Sequence, residues 1–86
     1  MNYTAYMRYF ININNIFGKV ITKLRKEKGL TQEKIAELAN INEKYYGKIE
    51  RGESSPTLIY IIKICDALEI KSYDLMKKYE DYKTRI

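Results

Sequence analysis

The sequence predicts an all-α fold, a compact bundle of five short helices. Three observations lead there. Apolar residues recur at i, i+3, i+4 and i+7 in several segments, whereas no segment alternates apolar and polar residues as a half-buried strand does. Gly29, Asn40, Gly52 and Pro56 punctuate the chain where short helices would have to stop or turn. The length of 86 residues with 45% hydrophobic residues supplies one modest core and leaves too little for a second domain.

Phe17, Val20, Ile21 and Leu24 share one helical face and predict a first helix over 15–28, capped by Asn14 or Asn15 and closed by Gly29. Lys19, Lys23 and Lys26 share another face of it. Thr31 is a good N-cap for a second helix over 32–39, with Ile35, Ala36, Leu38 and Ala39 as its apolar contacts. Residues 40–42 turn the chain. Asn42 then caps a third helix over 43–51, which Gly52 ends as Gly29 ends the first.

After the loop 53–56, Thr57 opens a fourth helix with Leu58, Ile61, Ile62, Cys65 and Leu68 on one stripe, ending near Glu69. Ser72 is the expected cap of a fifth, in which Leu75, Tyr79, Tyr82 and Ile86 recur at helical spacing. Residues 1–14 form either an N-terminal arm or a short helix, in which Tyr3, Tyr6 and Phe10 could pack on the domain formed by residues 15–86.

Composition narrows the function. The chain has no histidine, the usual zinc ligand and general base, and its single cysteine excludes an intrachain disulfide. Ser54, Ser55 and Ser72 therefore lack an activating partner, and Cys65 sits mid-helix where a buried structural thiol is expected. Glu80 and Asp81 are neighbours on diverging helix faces and do not form a carboxylate pair. With no Gly-rich phosphate loop either, the expectation is no enzyme, no metal, no cofactor and no small-molecule ligand. The sequence also lacks a leader pattern or an apolar run of membrane-spanning length, so a soluble protein of a reducing cytoplasm is expected.

Net charge is +5. The excess lies in residues 15–52, which hold nine basic and five acidic side chains, whereas residues 53–86 hold six of each. A positive field over the first half favours a polyanionic partner.

The stretch LRKEKGLTQEKIAELANINEKYYGKIERGESSPTL, continuing into KICDAL, resembles the lambda-repressor and Cro-like (XRE-like) helix-turn-helix family. The resemblance spans about 60 residues, from Phe17 to Met76, and rests on GLTQ, Ala36, IERG and the proline after it standing at the family's spacings. It implies a five-helix domain in which helices two and three form the helix-turn-helix and the third enters the DNA major groove. The implied function is a sequence-specific, double-stranded-DNA-binding transcriptional regulator of bacterial, phage or plasmid origin, dimeric on a pseudo-palindromic operator. RNA polymerase is a candidate further partner. Restriction-modification controller proteins are the sub-group that YYGKIERGE and the chain length most resemble.

Side-chain chemistry supports a groove-reading helix independently. Tyr46 and Ile49 fit a buried face, leaving Glu43, Lys44, Gly47 and Lys48 on the other. There Lys44 and Lys48 can donate to guanine O6 and N7, Glu43 can accept from cytosine N4, and Gly47 leaves room for close approach. The plain alternative is a solvated charged face.

The resemblance further implies phosphate contacts at Gln32, Asn42, Tyr45 and Arg51, and a buried ion pair between Arg25 and Glu50 joining the first and third helices. For Tyr45 a packing role, and for Arg51 a charge suited to the helix dipole, are the alternatives. Two positions depart from the family: Asn40 replaces a turn glycine, and Gly47 replaces a common serine. Ile59, Tyr60, Ile70, Tyr73 and Met76 carry more apolar area than a small monomer needs to expose and mark the expected dimer interface. A competing reading is an antitoxin-like or adaptor module with a vestigial helix-turn-helix.

Overall fold

A computed structural model describes residues 3–85, with side chains described from residue 13 onward. Five α-helices follow one another: α1 (Tyr3–Glu27), α2 (Gln32–Ala39), α3 (Glu43–Glu50), α4 (Leu58–Ala67) and α5 (Ser72–Thr84). No strand occurs among the described residues. α1 packs against α3 and α5, α2 against α3 and α4, and α4 against α5.

The core forms where these contacts meet. α1 contributes Ile16, Phe17, Val20, Ile21 and Leu24, the face that sequence periodicity selects. Ile35, Ala36 and Ala39 of α2, Ile41 in the turn after it, Tyr46 and Ile49 of α3, Ile64, Cys65 and Leu68 at α4, and Leu75 of α5 complete it.

Short helices of this kind need their ends satisfied, because the terminal N–H and C=O groups have no partner within the helix. Thr31 accepts from the Lys34 N–H at 3.0 Å, Asn42 Oδ1 accepts from Tyr45 at 3.1 Å, and Thr57 accepts from Tyr60 at 3.4 Å. At the C-terminal ends the chain turns through left-handed residues. Gly29 and Gly52 have φ of 71° and 75°, and Asn40, at the family's glycine position, takes φ 55°. There the Ile41 N–H reaches back to the Ala36 carbonyl at 2.9 Å, so the turn is made with an asparagine in place of the glycine.

Several expectations are corrected. α1 starts at Tyr3, so Asn14 and Asn15 lie inside it and cap nothing; Asn14 instead accepts from the Ser55 hydroxyl at 2.8 Å. Leu38 is exposed on α2. On α4 the buried face runs through Ile64, Cys65 and Leu68 with Ile61 half-buried, while Leu58 and Ile62 point outward. α5 begins at Ser72 itself, and its N-cap Lys71 makes no side-chain capping bond. α4 ends at Ala67 and the chain turns through Glu69 at φ 54°. The packing of Tyr3, Tyr6 and Phe10, and the place of Ile86, lie outside the described residues.

Candidate nucleic-acid interface

α3 is anchored from below before it can present anything above. Tyr46 and Ile49 are fully buried, and Glu50, also buried, carries the charge that ties three elements together. Arg25 of α1 donates to its carboxylate twice, from Nε to Oε2 at 2.7 Å and from Nη2 to Oε1 at 3.2 Å. The remaining Arg25 nitrogen, Nη1, donates to the Leu30 carbonyl at 2.8 Å, fixing the turn before α2. Gln32 Nε2 completes the cluster with a 2.9 Å bond to Glu50 Oε1.

The Arg25 and Glu50 side chains are only 11% and 4% exposed. Burial alone would push the Glu50 carboxyl up, but the surrounding donors, Arg25 foremost, hold it below its ordinary value. The same hydrogen bond raises Arg25 further. Tyr46 ends beside this pair, with its hydroxyl outside hydrogen-bonding geometry, and burial pushes that hydroxyl far above its ordinary value. It therefore stays neutral.

The packing that permits this geometry depends on Gly18, a position sequence reasoning passed over. A Cβ on Gly18 would overlap the Glu50 carbonyl oxygen and lie 2.8 Å from that of Ile49, so α1 and α3 touch backbone to backbone there. Thr22, one turn on, turns its hydroxyl back to the Gly18 carbonyl at 2.7 Å.

Above the anchor, Glu43, Lys44, Lys48 and Arg51 are exposed. Lys44, Lys48 and Arg51 fall on the side of α3 opposite Tyr46 and Ile49, a cationic stripe along the helix. Gly47 does not join it. It is buried, because the Arg51 and Gln32 side chains close over it, which corrects the expectation that it faces outward. Gln32, half-buried, has its side-chain amide committed to Glu50, so an anion at the start of α2 would meet backbone N–H groups first.

Tyr45 lies half-buried on the flank of α3, its ring 5.2 Å from that of Tyr60 on α4 and tilted by 51°. Lys63 Nζ stands 5.4 Å over the Tyr60 ring. Asn42 is exposed and holds the first turn of α3.

α4 and α5 also expose apolar side chains. Ile59 is 67% exposed, Tyr73 65% and Met76 42%, with Tyr60 and Ile70 half-buried beside them. Leu58, which the sequence places on the inward stripe of α4, is exposed as well, at 70%. No helix among the described residues is long and apolar enough to cross a membrane. No group of three potential metal ligands occurs among them either. Cys65 is buried, and burial raises its thiol above the ordinary range, against use as a nucleophile.

This arrangement has close counterparts. The helix-turn-helix family matches residues 21–75. The control protein C.MunI of Mycoplasma sp is 37% identical over 65 residues, 74% of this chain and 88% of its own length. The uncharacterized HTH-type transcriptional regulator y4dJ of Sinorhizobium fredii is 30% identical over 66 residues, 77% of this chain and 86% of its own. Among solved structures, the wild-type restriction-modification controller protein C.Esp1396I superposes with a TM-score of 0.82 at 27% identity, covering 86% of this chain and 96% of that one. With its five helices, its anchored α3 and these relatives, the chain belongs to the helix-turn-helix family of XRE-like transcriptional regulators.

Proposed function

We propose that the protein is a non-enzymatic, cytoplasmic regulator that binds a pseudo-palindromic operator as a homodimer, with α3 of each copy in the major groove. One observation carries this reading: Lys44 and Lys48 stand exposed on the face of α3 opposite its buried residues, on a helix immobilised by the Arg25–Glu50–Gln32 cluster. A solvated face would need no such anchor. A groove-reading helix does, because base-edge hydrogen bonds require a fixed approach.

In this arrangement Lys44 and Lys48 donate to guanine edges and Glu43, at the first turn, accepts from cytosine N4. Asn42, Tyr45 and the start of α2 at Gln32 face the phosphates on either side. The exposed surface of Ile59, Tyr73 and Met76, with Tyr60 and Ile70, covers itself against a second copy. The controller-protein relatives favour control of a restriction-modification system as the biological setting.

Quantitative binding by Lys48→Ala tests the reading. The variant is expected to lose about 1 to 3 kcal/mol on the cognate site and to relax preference at one base pair per half-site, with non-specific binding little changed. Equal weakening on every sequence would favour the adaptor reading, in which the helix-turn-helix is kept only for packing.

A further inference from the structure

Arg51 stands just past the last residue of α3, where a cation is ordinarily read as a phosphate contact or a partner of the helix dipole. Its side chain goes elsewhere. It folds back along α3, so that a Cβ on Gly47 would lie 3.0 Å from Arg51 Nη1 and 3.8 Å from its Cζ. The guanidinium thus lies over a helix position stripped of its side chain, with Gln32 Oε1 3.6 Å from the same point as the opposite wall. From the loop after α3, Glu53 Oε2 accepts from Arg51 Nε at 2.5 Å.

These contacts determine which edge of the guanidinium is available. Arginine has five N–H donors in a rigid plane, one on Nε and four on the two Nη nitrogens. Glu53 takes the Nε side, and neither Nη nitrogen makes a hydrogen bond among the described residues. The Arg51 side chain is still 56% exposed, and it shares its side of α3 with Lys44 and Lys48. An ion pair this exposed contributes little stability, so its consequence is orientation. Held at Nε by Glu53 and seated at Nη1 on Gly47, the guanidinium keeps Nη donors that meet no acceptor among the described residues, enough for the two adjacent acceptors, O6 and N7, that guanine alone presents in the major groove.

We propose that Arg51 reads a guanine in the major groove, with Gly47 as its seat and Glu53 as its positioning residue. This rests on α3 lying in the groove. It reassigns Arg51 from the phosphate backbone to a base edge, and it explains why a small residue that weakens the helix stands at position 47.

Selection of sites from a random-sequence duplex library by wild type and variants tests the proposal, followed by titrations on the selected duplex and a scrambled duplex at several salt concentrations. Arg51→Lys keeps the charge and loses the fork. It should erase a G·C preference at one position per half-site and cost about 5- to 150-fold on the selected duplex, with the salt slope unchanged. Gly47→Ala adds a methyl group 3.0 Å from Arg51 Nη1, which the guanidinium must shift to admit, and should degrade the same position, while its thermal midpoint stays at or above that of wild type. Glu53→Gln should blunt that preference without affecting scrambled duplex.

Retention of the full wild-type motif by Arg51→Lys would overturn the proposal. So would uniform weakening and a flatter salt slope in Arg51→Ala, the behaviour of a phosphate contact. Lys48→Ala separates the two levels: loss of a different base pair there, beside an intact motif in Arg51→Lys, leaves α3 in the groove and removes only Arg51 from the reading. If neither variant alters the motif, or wild type selects none, the groove reading itself falls and this proposal with it.

Discussion

Glu50 is the residue on which α1, α2 and α3 converge, and its removal leaves Arg25 buried without a counter-charge. Glu50→Ala is expected to cost about 3 to 5 kcal/mol in denaturant melts, the range for breaking a buried pair; a loss under about 0.5 kcal/mol would show the pair to be exposed in solution. The pair also gives a pH signature. Because the folded Glu50 is held below its ordinary value of 4.5, its contribution is complete above that pH and is lost as the pH falls through the folded value. Melts of wild type and Glu50→Gln should therefore differ at neutral pH, begin to approach each other below 4.5, and converge once the pH has fallen through the folded value. A difference that persisted there would mean that the variant's cost is steric. The pair itself was legible in the sequence through the family spacing of LRKEKGL and IERG. The fold-back of Arg51 was not, because it depends on Glu53 and on the missing side chain at Gly47, which only the helix surface brings together.

At the scale of the elements, α1 and α3 touch backbone to backbone at Gly18, and there the usual effect of a substitution changes sign. Replacing glycine by alanine inside a helix ordinarily stabilises by roughly 1 kcal/mol. At Gly18 the new methyl group would collide with the Glu50 and Ile49 carbonyl oxygens, which are backbone and cannot turn aside. Gly18→Ala should therefore destabilise, by about 1 to 3 kcal/mol as in overpacked cores, and a melt shifted upward would contradict the close approach. Nothing local in the sequence marks that glycine, since its reason lies on another helix. Turns were more legible. Gly29, Asn40 and Gly52 each take the left-handed conformation that their residue type suggested. α4 was misphased because its apolar run from Leu58 to Ile62 carries no periodicity; Lys63 and Asp66 were the better guide, since the side opposite them holds Ile61, Ile64 and Leu68. Glu69 turns through φ 54° with no glycine or asparagine to announce it.

For the molecule as a whole, a bundle this small leaves Leu58, Ile59, Tyr73 and Met76 uncovered on α4 and α5 and a cationic face on α3. If the apolar surface is the dimer interface, light scattering at micromolar concentration should give twice the 10.3 kDa chain, and Ile59→Lys should return it to one chain with its helical circular dichroism retained. Monomer at every concentration, with and without DNA, would leave each copy to bind alone. Two-fold symmetry then sets the DNA geometry, because paired recognition helices enter successive major grooves on one face of the duplex. The most direct test is guanine-N7 protection on a selected site. Two protected major-groove segments are expected, centred about 34 to 36 Å or about 10 to 10.5 base pairs apart, with protection in Lys48→Ala weakened at one position of each segment before general affinity is lost. Protection of phosphates alone, with every guanine N7 open to reagent, would contradict an α3 that reads bases.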